Sequence, residues 1–143
     1  MTDDFLLMRK VTRVSNLTTN MRVARLSQLE LTRTQSEAIL FAHDHPGENI
    51  SALKTRLDVS HQAARALVER LKQKGILRTT TSPTDSRCVT VSLTKLGEET
   101  YAAILKDGAD AWSSTTAGMT EDEKATLEKL LDKLLANLEG AKD

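Results

Sequence analysis

The chain has 143 residues, of which 39% are hydrophobic and 28% charged, a composition typical of a single folded domain. Its lone cysteine cannot form an intrachain disulfide, and no apolar run is long enough to span a membrane. The N-terminus also lacks the pattern of a secretory signal peptide, so we expect a cytoplasmic protein.

Charge is distributed unevenly along the chain. The 20 basic and 20 acidic residues cancel overall. Residues 50–95, however, hold nine Lys or Arg against three Asp or Glu, whereas residues 96–143 hold five against eleven. The resulting local charges of +6 and −6 indicate a basic surface directed at a polyanion and an acidic segment that points elsewhere.

The first predicted element is a helix over residues 4–26. Apolar residues recur along it every three or four positions, so they form one continuous stripe, and the opposite face is basic. Such a long stripe needs a partner, either elsewhere in the chain or in the second chain of a dimer, and we favour the dimer. The stripe consists of Phe5, Met8, Val11, Val14, Leu17, Met21 and Ala24.

Two shorter helices are predicted next. The first begins at Thr34, which can form a capping box with Glu37, and it stops before the Pro-Gly pair at 46–47. The second is short and is capped by Ser51 or Asn49. A tight turn then leads into a further helix, so the two together predict a helix-turn-helix.

That further helix begins at Ser60, which can cap its first turn, and ends at Gly75, which supplies the left-handed residue. Long polar side chains near the start of such a helix are those with which a recognition helix contacts base edges in the major groove. The residues predicted to be buried are Ala63, Ala64, Leu67, Val68 and Leu71. The opposite face carries Gln62, Arg65, Ala66, Glu69 and Gln73, with His61 at its leading edge.

A two-stranded hairpin is predicted after the recognition helix. Ile76, Leu77 and the threonines that follow favour a strand, and the sequence SPTDS at 82–86 is typical of a turn. Apolar and polar residues then alternate from Cys88, as in a strand with one buried face. A helix followed by a hairpin with Arg87 at its tip predicts a winged helix-turn-helix.

Two more helices are predicted after the hairpin. The first starts at Thr94 and runs toward Trp112, and the stretch SSTTAG breaks it. The second starts at Thr120, which can form a capping box with Glu123. We expect the first and last helices of the chain to pair between two protomers, because a small DNA-binding module cannot cover so much apolar surface. The last helix carries Leu127, Leu130, Leu131, Leu134, Leu135 and Leu138 at helical spacing.

The run KGILRTTTSPTDSRCVTVSLTKLGEE resembles the MarR family of bacterial transcription regulators. In that family a glycine ends the recognition helix, an Asp-x-Arg element lies at the wing, and a Leu-Thr-x-x-Gly stretch opens the next helix. The matching positions are Gly75, Asp85, Arg87, Leu93, Thr94 and Gly97.

The resemblance implies a mainly α fold with a small β-hairpin wing in a single domain, residues 1–143. The winged helix-turn-helix lobe would comprise residues 34–94. The N- and C-terminal helices, residues 1–33 and 95–143, would form a helical dimerisation lobe. The implied function is sequence-specific binding of double-stranded DNA by a homodimer at a palindromic operator, most often as a repressor.

Individual DNA contacts follow from the chemistry of the side chains. We assign His61, Gln62 and Arg65 to base edges, because Arg prefers guanine and Gln prefers adenine in the major groove. Arg87 is assigned to the minor groove. Further candidates are Ser60, Lys72 and Lys74 for phosphates, Arg78 beside the wing, and Asp85, which would orient the tip or pair with Arg87.

Two alternative functions stay open. Cys88 lies beside Arg87, and a neighbouring cation can make a thiol oxidisable, so the chain could be an oxidant-sensing regulator. It could also be a winged-helix module that binds a protein partner. His43 and His45 resemble a metal-ligand pair, but no further ligand accompanies them, and we prefer a polar helix end.

The sequence contains no glycine-rich phosphate loop, nucleophile–base arrangement or metal-binding cluster, so we predict no enzyme, cofactor or metal site. The family resemblance also implies a small-molecule effector, bound between the DNA-binding lobe and the dimerisation helices. Phe41, Tyr101 and Trp112 are the candidate lining residues, with packing in the core as the preferred alternative.

Overall fold

The computed structural model of the protein describes residues 3–141, which form six helices and one antiparallel hairpin. The predicted mainly α fold with a hairpin wing is confirmed. Two compact units are present, one up to Gly108 and one from Ala109. Within the described residues, no helix has both the length and the apolarity needed to cross a bilayer. The elements are α1 (Asp3–Gln28), α2 (Arg33–Asp44), α3 (Ile50–Leu57), α4 (His61–Gln73), β1 (Leu77–Thr81), β2 (Val89–Leu93), α5 (Lys95–Thr115) and α6 (Glu121–Gly140).

The predicted start of α2 at Thr34 is wrong. Thr32 is the cap: its hydroxyl accepts the backbone N–H of Gln35 at 3.1 Å, and the Gln35 side chain accepts the N–H of Thr32 at 3.1 Å. The sequence offers two overlapping capping boxes, and both satisfy the same spacing rule. Glu37, the partner expected for Thr34, instead forms an ion pair with Arg22 at 3.1 Å, which joins α1 to α2.

The predicted caps of α3, α4 and α6 are confirmed. Asn49, one of two candidates, caps α3, and Ser60 caps α4. Thr120 and Glu123 form the predicted capping box of α6. Gly75 follows α4 with a φ of +76°, a left-handed conformation that a residue with a Cβ rarely adopts.

The hydrophobic core lies between α2, α3, α4 and the hairpin, and its largest fully buried side chains include Ile39, Leu53, Leu71 and Val91. The buried face of α4 is narrower than predicted. It consists of Ala64, Val68 and Leu71, with Leu67 half-buried and Ala63 exposed. At 100° per residue Ala63 lies at the edge of the stripe, and it is also in the first turn of the helix.

The hairpin pairs with a third stretch of backbone that the sequence did not reveal. The N–H of Gly47 donates to the carbonyl of Val91 at 3.1 Å, and the N–H of Val91 donates to the carbonyl of Glu48 at 2.9 Å. A bridge between Asn49 and Thr90 continues this pairing. Because Asn49 is also the cap of α3, the start of α3 is fixed beside the wing.

The junction between the hairpin and α5 explains the Leu-Thr-x-x-Gly stretch. The hydroxyl of Thr94 accepts the N–H of Gly97 at 3.0 Å and is also hydrogen-bonded to the carbonyl of Gly75. A Cβ at Gly97 would lie 2.3 Å from the carbonyl oxygen of Ile76. Only glycine therefore fits where α5 crosses the start of the hairpin.

The break predicted after α5 lies inside the stretch SSTTAG. The helix continues to Thr115, and the turn residue Gly118 follows with a φ of +85°. Leu96, by contrast with the buried Ile104, is 47% exposed. It lies in the first turn, where the helix leaves the hairpin.

The apolar stripes of α1 and α6 remain at the surface of the protomer. Leu26 is the buried residue of α1, and α6 has none. The exposed apolar residues of the two helices are Phe5, Leu6, Leu7, Met8, Val11, Val14, Leu17, Val23, Leu130, Leu131, Leu134, Leu135 and Leu138.

Candidate nucleic-acid interface

The outward face of α4 is polar and accessible. All the residues predicted on that face are exposed, and so is His61. In the described chain, residues 3–141, the side chains of His61, Gln62 and Arg65 make no hydrogen bond or ion pair with another residue. These three lie in the first turns of the helix, next to its positive dipole end. They are available to an external partner.

Ser60 is held by its capping role. Its side-chain oxygen accepts the N–H of Ala63 at 3.0 Å, which fixes the first turn of α4. The hydroxyl hydrogen can still be donated to an acceptor outside the chain. A phosphate contact by Ser60 would therefore coexist with the cap.

The wing tip is organised by Asp85. Its Oδ1 accepts the backbone N–H of Arg87 at 3.0 Å and the Nε–H of the same residue at 3.2 Å. These two hydrogen bonds hold the pKa of Asp85 below its ordinary value of 3.8, the backbone bond contributing most. The side chain of Arg87 stays 91% exposed, so the backbone of the tip is held by a hydrogen bond while its basic side chain is accessible.

Cys88 is exposed, and its thiol contacts the acidic side chain of Asp85. The Sγ lies 3.8 Å from Oδ2 of Asp85, to which it donates a hydrogen bond. Reactive thiolates occur in electropositive surroundings, and a carboxylate beside the sulfur is the opposite. Cys88 also lines a cavity together with Arg65 and Arg87, so its surroundings carry both charges, and oxidant sensing through Cys88 stays a prediction.

The three remaining basic candidates differ in how free they are. The ammonium of Lys74 donates to the backbone carbonyl of Glu30, so it ties the end of α4 to the turn after α1. Lys72 lies 3.9 Å from Glu69 in an exposed pair. Arg78 is exposed on β1, opposite Ser92. Lys74 is therefore engaged by a hydrogen bond within the chain, Lys72 by a longer ion pair, and Arg78 is exposed.

A small cavity of about 50 Å³ lies where α3, α4 and the wing meet. Its lining includes Ser51 and Asn49 at the start of α3, His61 and Arg65 from α4, and Arg87 from the wing. The sequence marks Ser51 and Asn49 as helix caps and not as site residues. They lie at the site because residues 47–49 pair with β2, and no periodic pattern in the sequence predicts that pairing.

The three candidate effector-binding residues have different environments. Phe41 is buried in the core, as the preferred alternative held. Tyr101 is half-buried and stacks on His43, with ring centroids 3.6 Å apart. Trp112 is 45% exposed and belongs to the C-terminal unit.

The two histidines near the end of α2 have structural partners. Nδ1 of His43 lies 3.1 Å from Oε2 of Glu98, and the ring of His45 packs against Phe41 with centroids 5.1 Å apart. Among residues 3–141 no group of three or more His, Cys, Asp or Glu is arranged to hold a metal ion.

Comparison with known proteins places this geometry among characterised relatives. The sequence model of the MarR family matches residues 29–87. The multiple antibiotic resistance protein MarR of Salmonella typhimurium is 35% identical over 115 residues, 77% of each chain. The crystal structure of wild-type MarR from E. coli in its apo form is 30% identical, with a TM-score of 0.76 over 90% of this chain and 96% of that one.

A more distant structure shares the fold alone. It is that of BpsR from Bordetella bronchiseptica, whose DNA binding is regulated by 6-hydroxynicotinic acid. The two chains are 22% identical, with a TM-score of 0.68 over 87% of this chain and 98% of the other.

Proposed function

The chain belongs to the MarR family of winged-helix transcriptional regulators, and from that premise we propose that it represses transcription as a homodimer bound to a palindromic operator. The target would be double-stranded DNA in the bacterial cytoplasm. The observation that carries the proposal is a set of accessible basic and polar side chains at the start of α4, which have no intrachain partner within residues 3–141. The exposed side chain of Arg87 lies beside them at the wing tip.

The recognition helix would enter the major groove with its N-terminal turns. Gln62 is exposed in the first turn and can make a bidentate contact with adenine, and His61 stands beside it. Arg87 would enter the adjacent minor groove, where a narrow A·T stretch concentrates negative potential. Its 91% exposed guanidinium and its fixed backbone suit that role.

Dimerisation is supported by the unmatched surfaces of α1 and α6. Between Asp3 and Gln28, α1 carries five basic and two acidic residues, a formal charge of +3. Between Glu121 and Gly140, α6 carries six acidic and three basic residues, a formal charge of −3. Both helices expose apolar stripes, so α1 of one protomer and α6 of its partner are complementary in charge and in hydrophobicity.

The C-terminal unit also contains a groove in which the α1 helix of a partner protomer could bind. A groove of about 570 Å³ is lined by Trp112, Leu127, Leu131 and Leu135, with Glu128 and Asp132 at its acidic side. An amphipathic helix with a basic flank is the partner that this surface fits. Pairing through these helices would set two recognition helices roughly 34 Å apart, one turn of B-DNA, which predicts a palindromic site.

A small-molecule effector is the regulatory part of the proposal. DNA binding controlled by a small ligand is typical of the family, and BpsR is one relative with this property. A ligand that binds one separation of the recognition helices better than the other would shift the dimer toward or away from DNA.

Selection from random duplex DNA tests the function directly. We expect the full-length protein to enrich a palindrome whose half-sites lie one helical turn apart. Enrichment of that palindrome would also rule out the alternative of a winged-helix module that binds only a protein partner. No enriched sequence, with no binding to duplex DNA at low salt, would overturn the proposal.

A further inference from the structure

We propose that one backbone phosphate of the operator sits in the cavity between α3, α4 and the wing, and that Arg65 and Ser51 hold it. The inference rests on the proposed DNA-binding function and deepens it. It moves Arg65 from the base edges, where the sequence alone placed it, to the sugar–phosphate backbone. It also adds Ser51, which is outside the predicted set of DNA contacts.

The path of the DNA strand is the first reason. With α4 in the major groove and the wing in the adjacent minor groove, the strand that separates the two grooves must pass between helix and wing. The cavity lies at that point, because its lining comes from the starts of α3 and α4 and from the wing at Arg87, Cys88 and Val89. A phosphate is therefore the part of the DNA that this junction meets.

The charge of the lining is the second reason. Arg65 and Arg87 face the cavity from opposite elements, and none of its lining residues is acidic. Asp85, the nearest carboxylate in sequence, is occupied by the N–H groups of Arg87 and does not line the cavity. Within residues 3–141, Arg65 has no acidic partner, so its charge is left for an external anion.

The start of α3 supplies the neutral donors. Asn49 accepts the N–H of Ala52 at 2.8 Å, and its carbonyl accepts the N–H of Leu53 at 3.3 Å. Helix geometry leaves the N–H of Ser51, in the first turn of α3, without an intrahelical acceptor. The exposed hydroxyl of Ser51 adds another donor on the same side of the cavity.

The cavity is large enough for a small polar group. Its volume of about 50 Å³ can hold a phosphate oxygen and a bridging water, because one water needs on the order of 10–15 Å³ on the same measure. A phosphate contact carries no sequence information, which separates it experimentally from base readout.

Salt dependence is the first measurement. We would titrate the selected operator and single-base variants with the full-length dimer, comparing Arg65→Ala with Arg70→Ala, a control on the same helix that does not line the cavity. Each lost phosphate contact lowers the slope of log affinity against log salt by about 0.9. Arg65→Ala should therefore weaken binding roughly tenfold per protomer at 50 mM salt and only about threefold at 200 mM. Arg70→Ala should change both quantities less.

The effect should also be uniform across sequences. If Arg65 contacts a phosphate, all operator variants lose affinity by the same factor. Loss of discrimination at a single base pair, with an unchanged salt slope, would overturn the proposal while leaving the proposed function intact. Absence of any operator would instead refute the proposed function.

A neutral DNA backbone locates the contact. Methylphosphonate replaces one phosphate at a time along the operator. At one position this replacement should lower the affinity of the wild-type protein but should not further lower the affinity of Arg65→Ala. Ser51→Ala should show the same non-additivity at the same position. If no position couples to either residue, the proposal is wrong, because the lost affinity would then come from a general charge effect.

Discussion

The recognition helix α4 and the last helix α6 are both amphipathic, but only α4 buries its apolar face within its own protomer. Ala64, Val68 and Leu71 of α4 are each at most 2% exposed. In α6 no residue is buried, and Leu134 and Leu138 are 45% and 65% exposed. Similar helical patterns in the sequence thus end in opposite environments.

The difference indicates what each helix binds. Once α4 has buried its apolar residues, it presents polar side chains and a positive end to the solvent, which suits a polyanion. For α6 the apolar stripe itself remains on the surface, flanked by acidic residues, which suits a helix of another protein chain. The predictions below test this contrast, beginning with the largest expected effect.

Leu134→Glu should separate the dimer. A charge in the centre of the α6 stripe cannot be buried without a large desolvation cost, so we expect monomers by sedimentation equilibrium. Operator affinity should fall by roughly 10²–10⁴-fold, the usual advantage of binding two linked sites. Ala136→Glu is the control, because this exposed residue lies on the opposite side of α6. A Leu134→Glu variant that remains dimeric would show that α6 faces solvent in the assembly.

Leu71→Ala and Leu134→Ala make the same chemical change in the two helices. Leu71 is fully buried, so its truncation should lower the free energy of unfolding by roughly 2–5 kcal/mol at any protein concentration. Leu134→Ala should act through the dimer, and its effect on urea unfolding should therefore depend on protein concentration. Equal, concentration-independent losses would mean that the α6 stripe packs within its own chain.

Arg87→Ala tests the wing without touching the core. Because its guanidinium is exposed, we expect no change in unfolding. Binding to all sequences should weaken roughly tenfold, with a salt slope lower by about one charge per protomer. Lys106→Ala removes the same charge from an exposed position on α5 and should have little effect. A fluorescence-anisotropy titration with unchanged affinity and slope would exclude the wing from the interface.

Local signals in the sequence were sufficient for most of the fold. Caps such as Ser60 and Thr120 and the left-handed Gly75 depend on neighbours within a few residues, so spacing rules identify them. The alternation after Cys88 likewise identifies β2. Where two local solutions overlapped, as at Thr32 and Thr34, the spacing rule could not choose between them; in the structure Thr32 is the cap and Glu37 pairs with Arg22 of α1.

The candidate site was harder to predict because it depends on contacts distant in sequence. The bridge from Asn49 to Thr90 brings residues 41 positions apart together, and no periodicity encodes it. Without that bridge, Ser51 is only a residue near a helix start. Lys74 is a second example: its ammonium donates to the carbonyl of Glu30, 44 positions away, a contact that no local pattern predicts, and its phosphate contact stays a prediction.

Asp85 provides the smallest test. Its pKa lies below 3.8 because the backbone N–H and then the side chain of Arg87 donate to its carboxylate. A lowered pKa in the folded state means that the contribution to stability is complete above 3.8 and is lost as the pH falls through the folded value. The wing should therefore be insensitive to pH between about 5 and 8, and Asp85→Asn should change operator affinity at neutral pH by less than about fivefold.

In NMR spectra the amide proton of Arg87 should titrate with a midpoint below 3.8, and Asp85→Asn should abolish this titration. A midpoint at or above 3.8 would show that the carboxylate does not hold the wing tip in solution. The conclusion that the wing beside α4 presents Arg87 from a fixed backbone would then be wrong.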